Sequence, residues 1–542
     1  MEFPAWLSNA VVYQIYPQSF QDSNGDGIGD FQGIITRLDY LKQLGVNALW
    51  LNPCFDSPFD DAGYDVRDFY RVAPRYGTED DLLALFEAAH RRGMRGILDL
   101  VAGHTSMEHP WFAAEANNPK APDSNRYIWK NRDFDPATGP RRGDFVANFF
   151  WYQPALNYGY EAPVEEWQDP VDAPGPQKNR RELRRIMAYW FDRGCDGFRV
   201  DMAASLVKGA REENAATIAL WRDLRSWLDR HYPDRVLVAE WSRPDAALSA
   251  GFHLDFMMHF NAPGYPSLFF NGTGTLPAKE GPCYFAPDGN GNLNIFREEY
   301  TRQLAGTRGK GYISLPSANH DFQRLRCGER GWEGLRPAWV FLLTQAGIPT
   351  IYYGDEIGMR FVPGTPPREG STLAGIEAPN AGAPDGERAG TRTPMQWDDS
   401  KNDGFSTAAP DRLYLPLDDD PARPTVSSQQ ADTGSIYHFI RDLLLLRARH
   451  PALGADGGFH FLNPGGRDYP MVYLRSDNTD CFMIAINPTA RAQQVHVPAP
   501  GRPGLELLNH GCALAEEANG LNVEVAPFGY SITALETGET RA

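Results

Sequence analysis

The chain has 542 residues, 42% of them hydrophobic and 23% charged, with a net charge of -18, so it is longer than one ordinary core and lacks the basic balance that a nucleic-acid partner requires. No apolar run approaches the ~20 residues that span a bilayer, and the start MEFPAWLSNAVVYQIYP has neither the basic nor the apolar region of a secretory leader, which together predict a cytoplasmic protein with no membrane partner. The six cysteines (Cys54, Cys195, Cys283, Cys327, Cys481, Cys512) are scattered without a CxxC, which excludes a disulfide framework and a cysteine zinc site.

In chain order, VVYQIYP (11–17) reads as a strand. It is followed by DSNGDGIGD, in which Asp22, Asn24 and Asp26 fill positions 1, 3 and 5 of a calcium loop, Gly27 supplies the sharp turn and Ile28 offers a carbonyl. Position 12 is Gly33, so the bidentate acid of a sensor loop is missing, and Asp30 at position 9 is the remaining acid. Such alternating oxygens suit a hard cation. TRLDYLKQLG (36–45) is amphipathic and stops on glycine; NALWLNP (47–53) is the next strand. EDDLLALFEAAHRRG (79–93) is a helix with acids first and arginines last, matching the macrodipole, and MRGILDLV (94–101) is a third strand.

The alternation breaks over 104–178, a stretch rich in Pro, Asn and aromatics. It resumes with a helix over 179–194, a strand over 196–201, a helix near 214–231 and strands over 235–240, 253–259, 311–317 and 348–354. Eight apolar strands separated by helices predict a parallel α/β architecture, the (β/α)8 TIM barrel. The sequon Asn271-Gly272-Thr273 is read as chance in a chain without a leader. Residues 360–430 are loop-like, and from about 455 short strands separated by turns predict a C-terminal antiparallel β-domain. The expected domains are a barrel of 1–103 and 179–450, an inserted subdomain of 104–178 after the third strand, and a β-sandwich-like domain of 451–542.

Active groups of such a barrel lie just beyond the carboxyl ends of its strands. Those positions hold Asp99 and His104, Arg199 and Asp201, Glu240, and Asn319-His320-Asp321. Converging carboxylates without a cysteine nucleophile, a Ser-His-Asp order or a phosphate loop point to glycoside hydrolysis. No HxH or HExxH spacing supports a metal hydrolase.

The motifs DLVAGH (99–104), GFRVD (197–201), AE (239–240) and NHD (319–321), with NAVVYQIYPQSFQDSNGDGIGDFQGI (9–34), YD (64–65), QPALN (153–157) and TRTPMQW (391–397), resemble the oligo-1,6-glucosidase and α-glucosidase branch of the α-amylase superfamily over nearly the whole chain. The resemblance implies Asp201 as nucleophile, Glu240 as general acid/base and Asp321 as the clamp on the 2- and 3-hydroxyls. It implies Arg199 holding Asp201 ionised, His104 and His320 on sugar hydroxyls, Tyr64 as stacking floor, and Asp65 with Arg392 gripping the 4-hydroxyl of a terminal glucose. It also implies one structural calcium or magnesium ion on Asp22, Asn24, Asp26, Ile28 and Asp30, away from the chemistry.

Three positions depart from the family pattern. Gly103 stands where an Asn usually ligates a second calcium in α-amylases, Ala155 replaces an Asp, and Met202 matches neither residue associated with a linkage preference. The expected enzyme is a retaining, exo-acting α-glucosidase whose partner is a small α-glucoside. The alternatives are a transglycosylase or isomerase of the trehalose synthase or sucrose isomerase type, an endo-amylase, and a non-catalytic scaffold of the superfamily. The scaffold is disfavoured because all three carboxylates are kept.

Overall fold

A computed structural model describes residues 3–120, 124–130, 141, 144–209, 214–258, 263–269, 283–371, 388–463 and 469–536. The sequon at Asn271 lies outside the described residues. The strands are β1 (Val12–Ile15), β2 (Ala48–Leu51), β3 (Phe55–Asp56), β4 (Asp68–Val72), β5 (Arg95–Leu100), β6 (Gly197–Val200), β7 (Val236–Ala239), β8 (Leu254–Phe256), β9 (Tyr312–Ser314) and β10 (Thr350–Tyr352). All except β3 and β4 join one parallel sheet in the order β10-β1-β2-β5-β6-β7-β8-β9. A parallel bridge between Pro316 and Thr350 links the two ends, with Ile348 N–H donating to the Ile313 carbonyl at 2.9 Å. The chain therefore forms an eight-stranded TIM barrel. Its strands are mostly apolar because both faces are buried, with buried polar residues such as Gln14, Asp99 and Arg199 among them.

The helices start and stop on local chemistry. Glu79–Arg91 is capped by Thr78 and Asp81 in a reciprocal box, carries three acids in its first turn, and buries Leu82, Leu85 and Phe86. The helix predicted from residue 36 begins at Phe31, because the Asp30 side chain accepts from Gly33 N–H and caps it. The helix predicted from 179 begins at Pro174, since prolines at the first turn remove only N–H groups that have no helical partner. The short pair β3–β4 is missing from the sequence reading; its two- and five-residue strands are too brief for a periodic signal.

Between β5 and β6 the described residues hold the helix Pro110–Asn117 and isolated bridges such as His104–Ala155 and Ala147–Pro154. Beyond the barrel, β11 (Gly458–Phe461), β12 (Met471–Ser476), β13 (Cys481–Ile486), β14 (Gln493–Val497), β15 (Arg502–Glu517) and β16 (Gly520–Glu536) form an antiparallel sheet. The sequence signal missed β15. It contains Pro and Gly, leaves Leu505 70% exposed, and is held by pairing with β16 across three register shifts. Met471, Tyr473, Ile484 and Ile532 of this sheet belong to the same buried core as barrel residues. Arg447 donates to the carbonyls of Leu343 and Leu453 at 3.0 and 2.6 Å. Among the described residues no helix is long and apolar enough to cross a membrane.

Candidate active site

The expected carboxylates gather where the strand ladders end. Asp201 N–H donates to the Leu100 carbonyl at 3.0 Å and Glu240 N–H to the Val200 carbonyl at 3.1 Å. Each is thus the first residue beyond its strand, held by one more rung of parallel bonding. Asp201, Glu240 and Asp321 keep 6–8% of their surface exposed, which leaves an opening onto each.

Arg199 of β6 organises them. Its Nη1 donates to Asp99 Oδ1 at 2.9 Å and Asp201 Oδ1 at 3.0 Å. Its Nη2 lies 2.6 Å from Glu240 Oε1, close but not aligned as a hydrogen bond. Asp99 takes further bonds from the Tyr64 hydroxyl at 3.0 Å and Trp50 Nε1 at 3.2 Å. Three carboxylates thus surround one buried cation. Burial and repulsion from Glu240 push Asp201 well above the usual carboxylate range, against the pull of Arg199. Burial likewise raises Glu240, which Arg199 again opposes. The pair therefore retains a proton at pH values where free carboxylates have lost theirs.

Met202 follows with φ 43° and ψ 44°, a left-handed conformation that costs a residue with a side chain about 1–3 kcal/mol. That turn aims its N–H at Glu240 Oε2, 2.9 Å away.

His320 stacks on Tyr64, with ring centroids 5.3 Å apart and planes 8° from parallel. Its Nδ1 faces the amide nitrogens of Gln14 at 3.0 Å and Asn52 at 3.2 Å. Both are donors, so Nδ1 accepts and the proton sits on Nε2, 3.2 Å from Asp321 Oδ2. Burial holds His320 well below the usual histidine range, so the ring is neutral at pH 7. Burial opposes charge on Asp321 as well, but His320 Nε2–H and the guanidiniums of Arg388 and Arg392 overcome it and keep this carboxyl well below the usual range.

His104 has both nitrogens occupied, Nε2 by the Tyr64 carbonyl and Nδ1 by Asn148 Nδ2, each at 3.0 Å. Burial lowers it to about 3. A sugar hydroxyl at Nδ1 would displace Asn148.

The expected Asp65–Arg392 pair is not formed. Asp65 is fully buried, and its oxygens accept from Ser57 Oγ at 3.0 Å, Asp61 N–H at 3.1 Å and Asp60 N–H at 2.9 Å. It shapes the loop that presents its neighbour. Arg392 donates to the His320 carbonyl at 2.8 Å and approaches Asp321 at 3.4 Å. The groups facing each other beside Asp321 are Asp61 and Arg388, 3.6 Å apart, and Arg388 also bonds Asp321 Oδ1 and the Gly370 carbonyl. Burial raises Asp61 to about 7, with Arg388 opposing. Both lie beside recognised motifs: Asp61 three residues before Tyr64, Arg388 four before Arg392.

The three departures have local accounts. A Cβ on Gly103 would meet Asn148 Nδ2 at 2.8 Å, so Asn148 occupies that space. Ala155 is wholly buried in a small apolar cluster with Ile128 and Tyr160, where an unpaired carboxylate would be costly. Met202 Sδ lies 3.8 Å from Asn148 Nδ2.

The loop at 22–30 is self-satisfied. Asp22 accepts from Gly25 N–H at 2.7 Å, Gly27 N–H at 2.8 Å and Ser406 Oγ at 2.5 Å. Asn24 Oδ1 accepts from Asp26 N–H at 2.9 Å, and Asp26 Oδ1 from Ile28 N–H at 2.8 Å. Asp30 bonds Ser23 N–H and caps the helix through Gly33 N–H, at 2.9 and 2.6 Å. Among the described residues no group of three or more His, Cys, Asp or Glu is gathered closely enough to hold a metal ion.

A model of the alpha-amylase catalytic domain matches residues 14–456. A trehalose synthase/amylase of Mycolicibacterium smegmatis is 33% identical over 517 residues, 87% of this chain and 80% of that protein. An oligo-1,6-glucosidase of Parageobacillus thermoglucosidasius is 31% identical over 495 residues, 82% of this chain and 84% of that protein. The trehalulose synthase of Pseudomonas mesoacidophila, 25% identical, superposes with a TM-score of 0.80 over 98% of this chain and 99% of that one.

Proposed function

The chain belongs to the alpha-amylase family, and within it we propose a retaining enzyme that transfers a terminal α-glucosyl unit of a small α-glucoside, chiefly to the sugar it has just released. The observation that carries the terminal-sugar reading is the closure of the site beside Asp321 by Arg388, Arg392 and Asp61. Such an end wall suits a single non-reducing glucose and obstructs a continuing chain. Preference for transfer over hydrolysis is supported by the trehalose synthase and trehalulose synthase relatives. The motifs alone separate transfer from hydrolysis poorly, because both reactions use the same residues. Hydrolysis is the second reading, supported by the oligo-1,6-glucosidase relative.

In the first displacement Asp201 attacks the anomeric carbon, the glycosidic C–O bond breaks, and Glu240 gives its proton to the departing oxygen. The aligned Arg199 bond at 3.0 Å favours charge on Asp201, so the shared proton falls to Glu240. Asp321, kept ionised, holds sugar hydroxyls. In the second displacement a hydroxyl of the retained sugar, or water, attacks the glucosyl ester while Glu240 takes its proton. Two inversions restore the α configuration.

The test is product analysis on maltose, isomaltose, sucrose and trehalose. A disaccharide isomer should accumulate ahead of free glucose, and the first glucose seen by NMR should be the α-anomer. Stoichiometric glucose without an isomer would select hydrolysis. Early β-glucose would exclude the double displacement, and no turnover of any of the four would overturn the reading.

For the loop at 22–30 we propose one structural calcium or magnesium ion, supported by the spacing of Asp22, Asp26 and Asp30 along one loop rather than by a preformed acid cluster, with Asp22 and Asp30 5% and 4% exposed. Ile28 would add its carbonyl and Asn24 its amide oxygen. The loop packs on the segment after Arg392, where Asp22 N–H donates to the Phe405 carbonyl at 2.9 Å and Tyr414 N–H to the Gly27 carbonyl at 2.8 Å. Chelation should therefore lower Tm while kcat and KM at moderate temperature move little. An ion at ~100 times its Kd adds about 2.7 kcal/mol to the folded state. An unchanged Tm would remove the ion from this loop.

A further inference from the structure

One short turn of the segment between β5 and β6 touches the site at two separate points. Asn148 N–H donates to the Gln153 carbonyl at 2.9 Å, Gln153 N–H to the Phe150 carbonyl at 2.9 Å, and Phe150 N–H back to Gln153 Oε1 at 2.9 Å. At one end Asn148 Nδ2 donates to His104; at the other Gln153 Nε2 donates to Asp61 Oδ2 at 2.7 Å. Lys208 fixes the first end further, bonding Asn148 Oδ1 at 2.5 Å and the Ser205 carbonyl at 2.6 Å. Tyr152 fixes the second through its hydroxyl on the Asp60 carbonyl, 3.2 Å away.

Between these anchors stand four consecutive aromatics with unequal fates. Phe150 is buried and stacks on Tyr152, with centroids 5.2 Å apart and planes 8° from parallel. Trp151 meets Tyr152 edge-on at 5.5 Å and stays 56% exposed. Scattered exposed hydrophobics need no explanation. A tryptophan on a turn closed by its own hydrogen bonds is different when both feet of that turn bond residues implied in the sugar pocket.

We propose that Trp151 is the platform for the aglycone, the sugar ring that leaves and is attacked again. This rests on the glucosyl-transfer reading above. The anchors bond His104 and Asp61 of the first-glucose site, whereas Trp151 between them is exposed, which in this proposal makes its ring the platform for the second sugar. The C–H face of a pyranose packs on an aromatic plane, a large contact made with little loss of side-chain freedom. Holding the released sugar there keeps its hydroxyls beside the glucosyl–Asp201 ester and keeps water out. Trp151 thereby biases the second displacement toward transfer.

The experiment measures binding by calorimetry in an Asp201→Asn background, so that it needs no turnover. The ligands are a glucose-shaped iminosugar, which fills only the first ring position, and maltose, trehalose and sucrose. Adding Trp151→Ala should weaken the best-bound disaccharide about tenfold, or about 1.4 kcal/mol, and leave the iminosugar unchanged. Trp151→Phe should keep most of the affinity. In the active enzyme, Trp151→Ala should raise the share of free glucose among products. Equal weakening of both ligand types would reduce Trp151 to a structural role, and unchanged disaccharide affinity would overturn the platform. Selective weakening in a protein that turns over none of the disaccharides would keep the platform and sink the transfer reading, whereas no disaccharide binding at all would overturn both.

Discussion

Replacing Asp201 by Asn should lower turnover by at least ~10³-fold while the protein stays folded. The amide matches the carboxylate in shape and can still accept the Arg199 bond, now 3.0 Å long. It has no anionic oxygen with which to form the glucosyl ester. Stability should not fall, because the wild-type cluster of Asp99, Asp201 and Glu240 around Arg199 is short of positive charge. The sign follows from the direction of the shift. The Asp201–Glu240 pair titrates higher in the folded than in the unfolded chain, so the folded state binds the shared proton more tightly. The stability tied to that proton is present below the unfolded value and is lost as pH rises toward the folded one. Removing the ionisable group removes that loss. The Tm of Asp201→Asn relative to wild type should therefore be higher at pH 7 than at pH 4. Near-normal turnover would reject Asp201 as nucleophile. A Tm well below wild type at both pH values would mean that the carboxylate is structural.

The barrel and its three carboxylates were legible because two simple periodicities coincide. Strands buried on both faces are mostly apolar, and the polar residue that follows such a run is carried to the rim of the barrel. Glu240 sits one residue past the apolar strand Val236–Ala239, and Asp201 one residue past Gly197–Val200, a buried strand that itself carries Arg199. Nothing comparable marks a loop. Asp61 and Asp65 are both acids in one turn, and only the fold decides that Asp65 binds its own backbone while Asp61 turns to Arg388. Arg388 and Arg392 differ by one helical turn, and which of them meets Asp61 depends on how the segment folds back over the mouth. The calcium-loop pattern shows Asp30 only as a cation ligand, although the helix start at Phe31 needs it as a cap. The choice between water and sugar in the second displacement is hidden for the same reason. It depends on walls such as the turn at 148–153, whose residues are not the catalytic ones.

Replacing Glu240 by Gln should separate two substrate classes. On natural disaccharides the loss should be ~10²–10⁴-fold, the usual worth of general acid help, because a sugar alkoxide is a poor leaving group. On aryl glucosides, whose phenolate departs unaided, the loss in the first displacement should be smaller. Some loss remains even there. Glu240 Oε2 accepts from Met202 N–H at 2.9 Å, while Oε1 faces Arg199 Nη2 at 2.6 Å. An amide can satisfy one of these donors but must point its own N–H₂ at the other, so Arg199 and the Asp201 it supports are disturbed slightly. The pH dependence distinguishes this side effect from the acid role. Burial raises Glu240, so the wild-type rate on disaccharides should hold above the ordinary carboxylate range and fall as pH passes through the raised value. In Glu240→Gln the aryl glucoside rate should lose that alkaline limb, since no proton remains to be lost. Both substrate classes falling equally in the first displacement, with the limb intact, would show that another group supplies the proton.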